Sequence, residues 1–192
     1  GKRVYLLFMG VDYRSQISLN GKLLADHEGM FSRIGPLDIT DFLQPDGANR
    51  LEVVMFGIPD QWEEKAGPKI LQSSELGRRD TLKTQMSFGW DFAPRLKGAG
   101  IWDRVLVFES GPALLRDLAI RTKLSGAVEL VAEIDSLAAI SANFKVSISG
   151  ETFDSYNTNI EVPLELKAGA NIETFQVKIE HPKLWWPWDQ GR

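Results

Sequence analysis

Gln16-Ile17-Ser18-Leu19-Asn20-Gly21-Lys22-Leu23-Leu24 decides the class of fold. Successive side chains of an extended strand point to opposite sides, so Ile17 and Leu19 share one face and Gln16 and Ser18 the other. Asn20-Gly21 then stands between two apolar segments. A two-residue type I′ turn needs positive φ at both central positions, which makes Asn-Gly the strongest short hairpin signal. The stretch predicts a β-hairpin, and strands dominate in both directions from it.

Upstream, Val4 to Phe8 is a continuous apolar run of strand length, as in a strand buried on both faces. Downstream, Leu37-Asp38-Ile39-Thr40 starts either another strand or a short turn, and Pro45-Asp46-Gly47 has turn chemistry. Leu51 to Phe56 is rich in β-formers. Residues 58–85 hold Pro59, Pro68, a Ser pair and mixed charges, and predict a long excursion with at most one short helix. Loops longer than ~15 residues in a compact domain are usually functional or disordered. Trp102 to Phe108 reads as a strand.

Ser110-Gly111-Pro112 marks a candidate domain junction. Beyond it, 118–121, 128–134, 144–148, 160–164 and 175–179 are short alternating strands, separated by turn residues such as Ser125-Gly126 and Gly169-Ala170-Asn171. That spacing predicts an immunoglobulin-like β-sandwich, not of the antibody type because no Cys pair exists. The expected fold is all-β, with domains over 1–111 and 112–192.

The chain has 192 residues, 43% hydrophobic and 25% charged, with net charge −4. This composition suits a globular protein with a real core. It carries no basic excess for phosphate neutralisation, so nucleic acid is not an expected partner. Nor is a membrane, since no apolar run nears the ~20 residues a spanning helix needs. With no cysteine, disulfides, thiolate nucleophiles and Cys-ligated metals are excluded. The first residues read as mid-strand rather than as a signal peptide, and the last follow a strand-like run. A fragment of something longer is expected.

Phe88-Gly89-Trp90-Asp91-Phe92-Ala93-Pro94 holds the candidate binding residues, Trp90 and Asp91. An indole offers a flat apolar face to the C–H face of a sugar. A carboxylate accepts strong hydrogen bonds from two hydroxyls. The heptad alone equally admits a buried Trp90 with Asp91 capping a turn. His27 and His181 are far apart and unsuited to a metal site, so no metal is expected. No nucleophile elbow, phosphate loop or dinucleotide fingerprint occurs, and no cofactor is expected. Asp26, Glu28, Glu63, Glu64 and Asp91 are catalytic candidates by type only, because no spacing sets two carboxylates ~5–9 Å apart. His27-Glu28-Gly29-Met30-Phe31 reads in isolation as a loop with a buried Phe31. Trp185-Trp186-Pro187-Trp188 is either a sugar platform or, as such clusters more often are, a surface that packs against a neighbouring domain.

Together these pieces resemble the N-terminal region of glycoside hydrolase family two, nearest its β-mannosidase branch. The resemblance is carried by Phe8-x-Gly10-Val11-Asp12, Leu19-Asn20-Gly21, His27-Glu28-Gly29-Met30-Phe31, Asp38-Ile39-Thr40 and Asn49-Arg50-Leu51. It continues through Lys83-x-Gln85, Phe88-Gly89-Trp90-Asp91, Pro94, Gly100-Ile101-Trp102 and Leu184-Trp185-Trp186-Pro187. The branch commonly has Trp-Asp-Trp-Gly-Pro, where this chain has Trp90-Asp91-Phe92-Ala93-Pro94.

The resemblance implies a jelly-roll, galactose-binding-like domain truncated at its N-terminus, then the immunoglobulin-like sandwich, then a catalytic barrel absent from these residues. It implies a retaining parent enzyme that hydrolyses terminal β-linked mannose with two barrel glutamates. Trp90 and Asp91 would contact the terminal sugar, in partnership with the barrel, and this chain would carry no catalytic residue. A stand-alone carbohydrate-binding module and a structural sandwich pair are the alternatives. The compartment stays open, with a lean from bacterial members toward the periplasm.

Overall fold

The computed structural model describes residues 2–56, 58, 81–89, 94, 96–151 and 157–187. Residues 59–80, most of the expected excursion, therefore lie outside the described residues. The chain divides into two compact units, 2–110 and 111–192. Each is built from antiparallel strands, and the only other regular elements among the described residues are two short 3-10 turns.

In the first unit β1 (Arg3–Phe8) lies between β5 (Ile34–Asp38) and β8 (Val105–Ser110). A second sheet has β3 (Arg14–Leu19) between β4 (Lys22–Glu28) and β6 (Leu51–Met55). A short ladder joins β2 (Val11–Asp12) to β7 (Gly100–Ile101). Both larger sheets feed one core, which holds Leu6, Phe8, Val11, Ile17, Leu19, Ile34 and Ile39. The predicted hairpin is present: Asn20 has φ 52° and Gly21 φ 79°, and β3 pairs with β4. Its alternation survives too, since Ser15, Ile17 and Leu19 are buried while Gln16 and Ser18 are not. Adjacent Tyr5 and Leu6 are both buried, so β1 is covered on both faces.

The Asn20 side chain does more than shape the turn. It donates to the carbonyl of Phe42 and to Asn49 Oδ1, both at 2.8 Å, and accepts from the Arg50 amide at 2.9 Å. Asn49 in turn accepts from the Gln44 amide at 2.8 Å. This satisfies polar groups that a loop over apolar residues would otherwise leave unpaired.

Leu37 to Thr40 proves to be strand and turn in succession: β5 ends at Asp38, and a 3-10 turn spans Thr40–Phe42. Asp38 Oδ1 accepts from the Thr40 hydroxyl (2.7 Å) and amide (3.0 Å), and Arg3 Nη1 lies 2.7 Å from Oδ2. The Thr40 hydroxyl accepts from the Val4 amide at 2.9 Å, tying the turn to β1. One expectation is corrected. Trp102–Arg104 are not strand, and β8 begins at Val105. The reason is that Trp102 turns back to hydrogen-bond the Gly10 carbonyl (3.2 Å), while the Met9 amide donates to Arg104 (2.9 Å).

In the second unit β10 (Ala127–Ser136) lies between β9 (Ala113–Thr122) and β13 (Gly169–Lys178). The other sheet pairs β11 (Ile140–Ile148) with β12 (Thr158–Leu166). The two sheets face each other: Phe144 of β11 stacks on Phe175 of β13 at 4.3 Å between ring centroids. Val128, Leu130, Ala132, Ile134, Leu164, Leu166 and Val177 complete this core. The outer face is polar, with Lys145 and Asn143 both reaching Glu161. Pro163 is tolerated because β12 is an edge strand among the described residues.

Gly126 closes the β9–β10 turn at φ +84°, and a Cβ there would sit 2.2 Å from the Ile179 carbonyl oxygen. Gly126→Ala is therefore expected to cost about 1–3 kcal/mol, the usual strain of a side chain forced into that region, measured by urea unfolding of the 192-residue chain. The Asp38 carboxyl is pushed up by burial, but the Thr40 hydrogen bonds and the Arg3 charge outweigh this and hold it below its ordinary value. A depressed carboxylate stabilises above its unfolded pKa, ~3.9, and loses that contribution as pH falls through the folded value. Asp38→Asn should flatten this acid limb, read as the denaturation midpoint between about pH 5 and pH 2.

Candidate functional site

Three motif residues, Asp12, Lys83 and Trp102, meet in one cluster of the first unit. Asp12 ends β2, and its partner in the β2–β7 ladder is Gly100. Lys83 arrives from the far side of the excursion, 71 residues along the chain, and its ammonium donates to Asp12 Oδ2. The pair is buried, with 1% of the lysine and 10% of the aspartate side chain exposed. Lys83 also donates to the Gly98 carbonyl at 2.8 Å. Asp12 Oδ1 is buried with no hydrogen-bond partner among the described residues. The carboxylate is thus held through a single oxygen, by Lys83.

Tyr13 adds a second tie. Its hydroxyl donates to Glu28 Oε1 (3.2 Å) and accepts from the Leu82 amide (3.4 Å). Backbone bonds run parallel to these, from Gly29 to Tyr13 (3.0 Å) and from Met30 to Leu82 (2.9 Å). Trp102 completes the cluster: its Nε1 donates to the Met30 carbonyl at 3.0 Å. Its indole lies on Gly10, where a Cβ would stand 2.4 Å from Cε2. Burial first, then the charge of Glu28, push the Tyr13 hydroxyl above its ordinary value, against the opposing Leu82 hydrogen bond. The phenol stays protonated and remains the donor to Glu28.

Lys83 leads into a 3-10 turn, Gln85–Phe88, whose last residue is buried. Lys97 stands over the Phe88 ring at 5.9 Å from its centroid. Trp90 and Asp91, the expected sugar contacts, lie outside the described residues, as do Glu63 and Glu64.

Among the described residues, the carboxylate candidates Asp26 and Glu28 have separate partners. Asp26 accepts from Gln16 Nε2 at 3.0 Å, and Glu28 serves Tyr13. His27 donates from Nε2 to its own loop, at the Gly29 carbonyl, 3.0 Å away, and His181 lies exposed at a turn with φ 51°. Among the described residues no group of three or more His, Asp or Glu could hold a metal ion. Phe31 is 66% exposed, not buried, because Met30 and Gly29 instead take the loop's bonds to Leu82 and Tyr13. In the second unit, Trp185 and Trp186 are exposed and wall a groove of about 560 Å³ with Leu124, Val128, Ile179 and Pro182. Trp188 lies outside the described residues. No helix among the described residues is long and apolar enough to cross a membrane.

Residues 1–103 match the family described as glycosyl hydrolase 2 galactose-binding domain-like. The chain belongs to that family. Along nearly its whole length it is also similar to named enzymes. It is 29% identical to a mannosylglycoprotein endo-β-mannosidase of Lilium longiflorum, covering 100% of this chain and 21% of that protein. It is 30% identical to β-mannosidase B of Neosartorya fischeri, covering 100% and 23%. Among solved structures, the β-D-mannosidase of Dictyoglomus thermophilum superposes with a TM-score of 0.77 at 29% identity, over 97% of this chain and 23% of that one. A Bacteroides uniformis β-glucuronidase shares the fold, with a TM-score of 0.65 at 17% identity over 96% of this chain and 20% of that one. The chain thus resembles the N-terminal region of β-mannosidase-like family-two enzymes and spans under a quarter of the length of these relatives.

Sequence reasoning had quoted Asp12, Lys83 and Trp102 as motif residues but had not joined them. The residues beside Lys83 (Thr81, Leu82, Thr84 and Gln85) carry no local signal of its burial or of its partner. Tyr13 carried no signal. Tyr13→Phe removes the hydroxyl between Glu28 and Leu82 and should cost about 1–2 kcal/mol, measured by urea unfolding at pH 7. A raised phenol stabilises below its unfolded pKa, ~10, and loses that contribution as pH rises through the folded value. The same variant should therefore lose part of the alkaline dependence of stability above about pH 10.

Proposed function

We propose that this chain is the non-catalytic, sugar-contacting and scaffolding region of a β-mannosidase-like exo-glycosidase. Residues 1–111 are the sugar-binding domain. Residues 112–192, an immunoglobulin-like sandwich on this proposal, are the scaffold. Trp90 and Asp91 form one wall of the subsite for a terminal β-linked mannose. A catalytic barrel elsewhere in the parent enzyme supplies the acid/base and nucleophile of a retaining reaction.

One observation carries the proposal. The motif residues Asp12, Lys83 and Trp102 are tied, with Met30 and Leu82, into one cluster. Lys83 and Trp102 flank Trp90 and Asp91 in sequence, in a chain similar throughout to β-mannosidases. Maintaining a buried charged pair there is costly, and supporting a substrate-contacting segment accounts for that cost.

The lily relative is named as an endo-acting enzyme, so an endo-acting parent is the second reading. An aryl β-mannoside and an internal β-mannosidic linkage, offered to the full-length enzyme, separate the two by which is cleaved. For the exo-acting parent, Asp91→Ala should lower kcat/KM for the aryl mannoside by roughly 100-fold. That corresponds to two charged hydrogen bonds at about 1.5 kcal/mol each. The 192-residue chain alone should show no turnover, and mannose binding too weak for calorimetry at micromolar concentration. Enzyme-like hydrolysis by the chain alone would refute the proposal.

A further inference from the structure

We propose that the second unit is an open sandwich that takes up one more β-strand, laid antiparallel along the free edge of β11 and over β9. The strand comes from the parent enzyme's own chain beyond residue 192. This rests on the reading above that the chain is one region of a longer enzyme.

The opening shows in the burial of the inner faces. Leu130 of β10 and Val177 of β13 are 2% and 5% exposed. Ile120 of β9 pairs with Leu130 and so points to the same side of the sheet, yet it is 60% exposed. Leu115, opposite the buried Ile134, is 48% exposed. The facing sheet has two strands among the described residues, β11 and β12. It covers β13 and β10 and stops short of β9.

That facing sheet has two free edges, and the sequence distinguishes them. β12 carries Pro163 in its middle. Proline has no amide hydrogen and belongs on edge strands with the missing donor turned outward, so β12 is suited to remain an edge. β11 has neither proline nor glycine in its nine residues, and Ile140, Ala142, Phe144, Val146 and Ile148 alternate along its inner side. A long, regular edge of this kind pairs readily, and proteins rarely leave one bare. β12 passes into β13 through Lys167 and Ala168 alone, which keeps it on the β13 side of the sandwich. The free edge of β11 therefore lies toward β9, and a strand added there covers Ile120.

The course of the described chain points to the source. As it leaves β13, the Ile179 amide donates to the Gly126 carbonyl at 2.8 Å, which holds it against the β9–β10 turn. Pro182, Trp185 and Trp186 then line one groove with Thr122 and Leu124. Thr122 ends β9 and shares a face with Ile120. By Trp186 the chain has thus crossed from the β13 side to the β9 side. β11 begins four residues after β10 ends beside Ala113, so it runs toward the Thr122 end of β9. A strand that starts near Thr122 and returns along β11 is antiparallel to it, as in every ladder described. Its side chains must be apolar at alternate positions, since one face meets β9 and the other meets water.

The test is hydrogen–deuterium exchange resolved to single amides, in the full-length enzyme and in the 192-residue chain. β10, paired on both sides, is the internal standard. Against β12 alone, only one alternate set of β11 amides is bonded, and the added strand bonds the other set. That second set should exchange roughly 100-fold more slowly in the full-length enzyme than in the 192-residue chain. Rapid exchange of the second set in the full-length enzyme, with β10 protected, overturns the inference, whatever the stability of the shorter chain.

The occupant is identified with Ile120→Cys, in a chain that has no cysteine of its own. The introduced thiol should react with a maleimide roughly 10-fold more slowly in the full-length enzyme, followed by mass on its own peptide. Slow labelling without protection of the second amide set means cover by a surface that adds no strand, and overturns the inference. Protection already present in the 192-residue chain, with dimers in sedimentation, makes a second copy the occupant and overturns it as well. Undiminished turnover in Asp91→Ala, by contrast, removes the sugar-contact reading and not this one.

Discussion

Lys83 and Asp12 are both withdrawn from water, and an ion so placed carries a penalty of several kcal/mol. The penalty is offset by good geometry between the two, and Lys83 gains a further bond to the Gly98 carbonyl, while Asp12 Oδ1 has no partner among the described residues. That condition reaches well beyond the pair. Asp12 must be delivered by the β2–β7 ladder, which sets Asp12 opposite Gly100 and Val11 opposite Ile101. The residue after β7 is Trp102, whose indole then falls on Gly10 and bonds Met30. Met30 bonds Leu82, the neighbour of Lys83. The chain of contacts returns to its start, so loosening the pair loosens Tyr13, Trp102 and the 27–31 loop together.

The second unit obeys a different rule. Its core is apolar and its strands are long, with the ten-residue β10 paired on both sides. Stabilisation there comes from area removed from water, at roughly 25 cal/mol per Å², and from the Phe144–Phe175 stack. Its ion pairs lie on the surface, as with Arg121–Glu129 and Lys145–Glu161. Such exposed pairs contribute at most about 1 kcal/mol each. The first unit thus carries a buried charged pair, while the ion pairs described in the second lie at its surface.

Local signals made much of this legible. Period-two alternation located β3, β10, β11, β12 and β13, because a half-buried strand must place apolar groups on one face. Asn20-Gly21 located the hairpin through its φ requirement, and Gly126 and Gly169 marked turns for the same reason. Trp102–Arg104 read as strand because they run straight into the β-forming Val105–Phe108. Their real constraint is the Trp102 hydrogen bond to Gly10, contributed by a distant segment. Phe31 was expected to be buried on hydrophobicity alone, whereas the loop's backbone bonds to Tyr13 and Leu82 leave its ring outside.

The site divides along the same line. Sequence determined the all-β class, the hairpin, and through its motifs the family whose members it resembles. It also made Trp90 and Asp91 the candidates for sugar contact, through the chemistry of indole and carboxylate and through the family resemblance. Tertiary structure alone decided that Asp12, Tyr13, Met30, Lys83 and Trp102 form one cluster. The physical reason is distance along the chain: no local periodicity couples residues 71 apart. Only the folded sheet, by withdrawing both charges from water, makes each the necessary partner of the other.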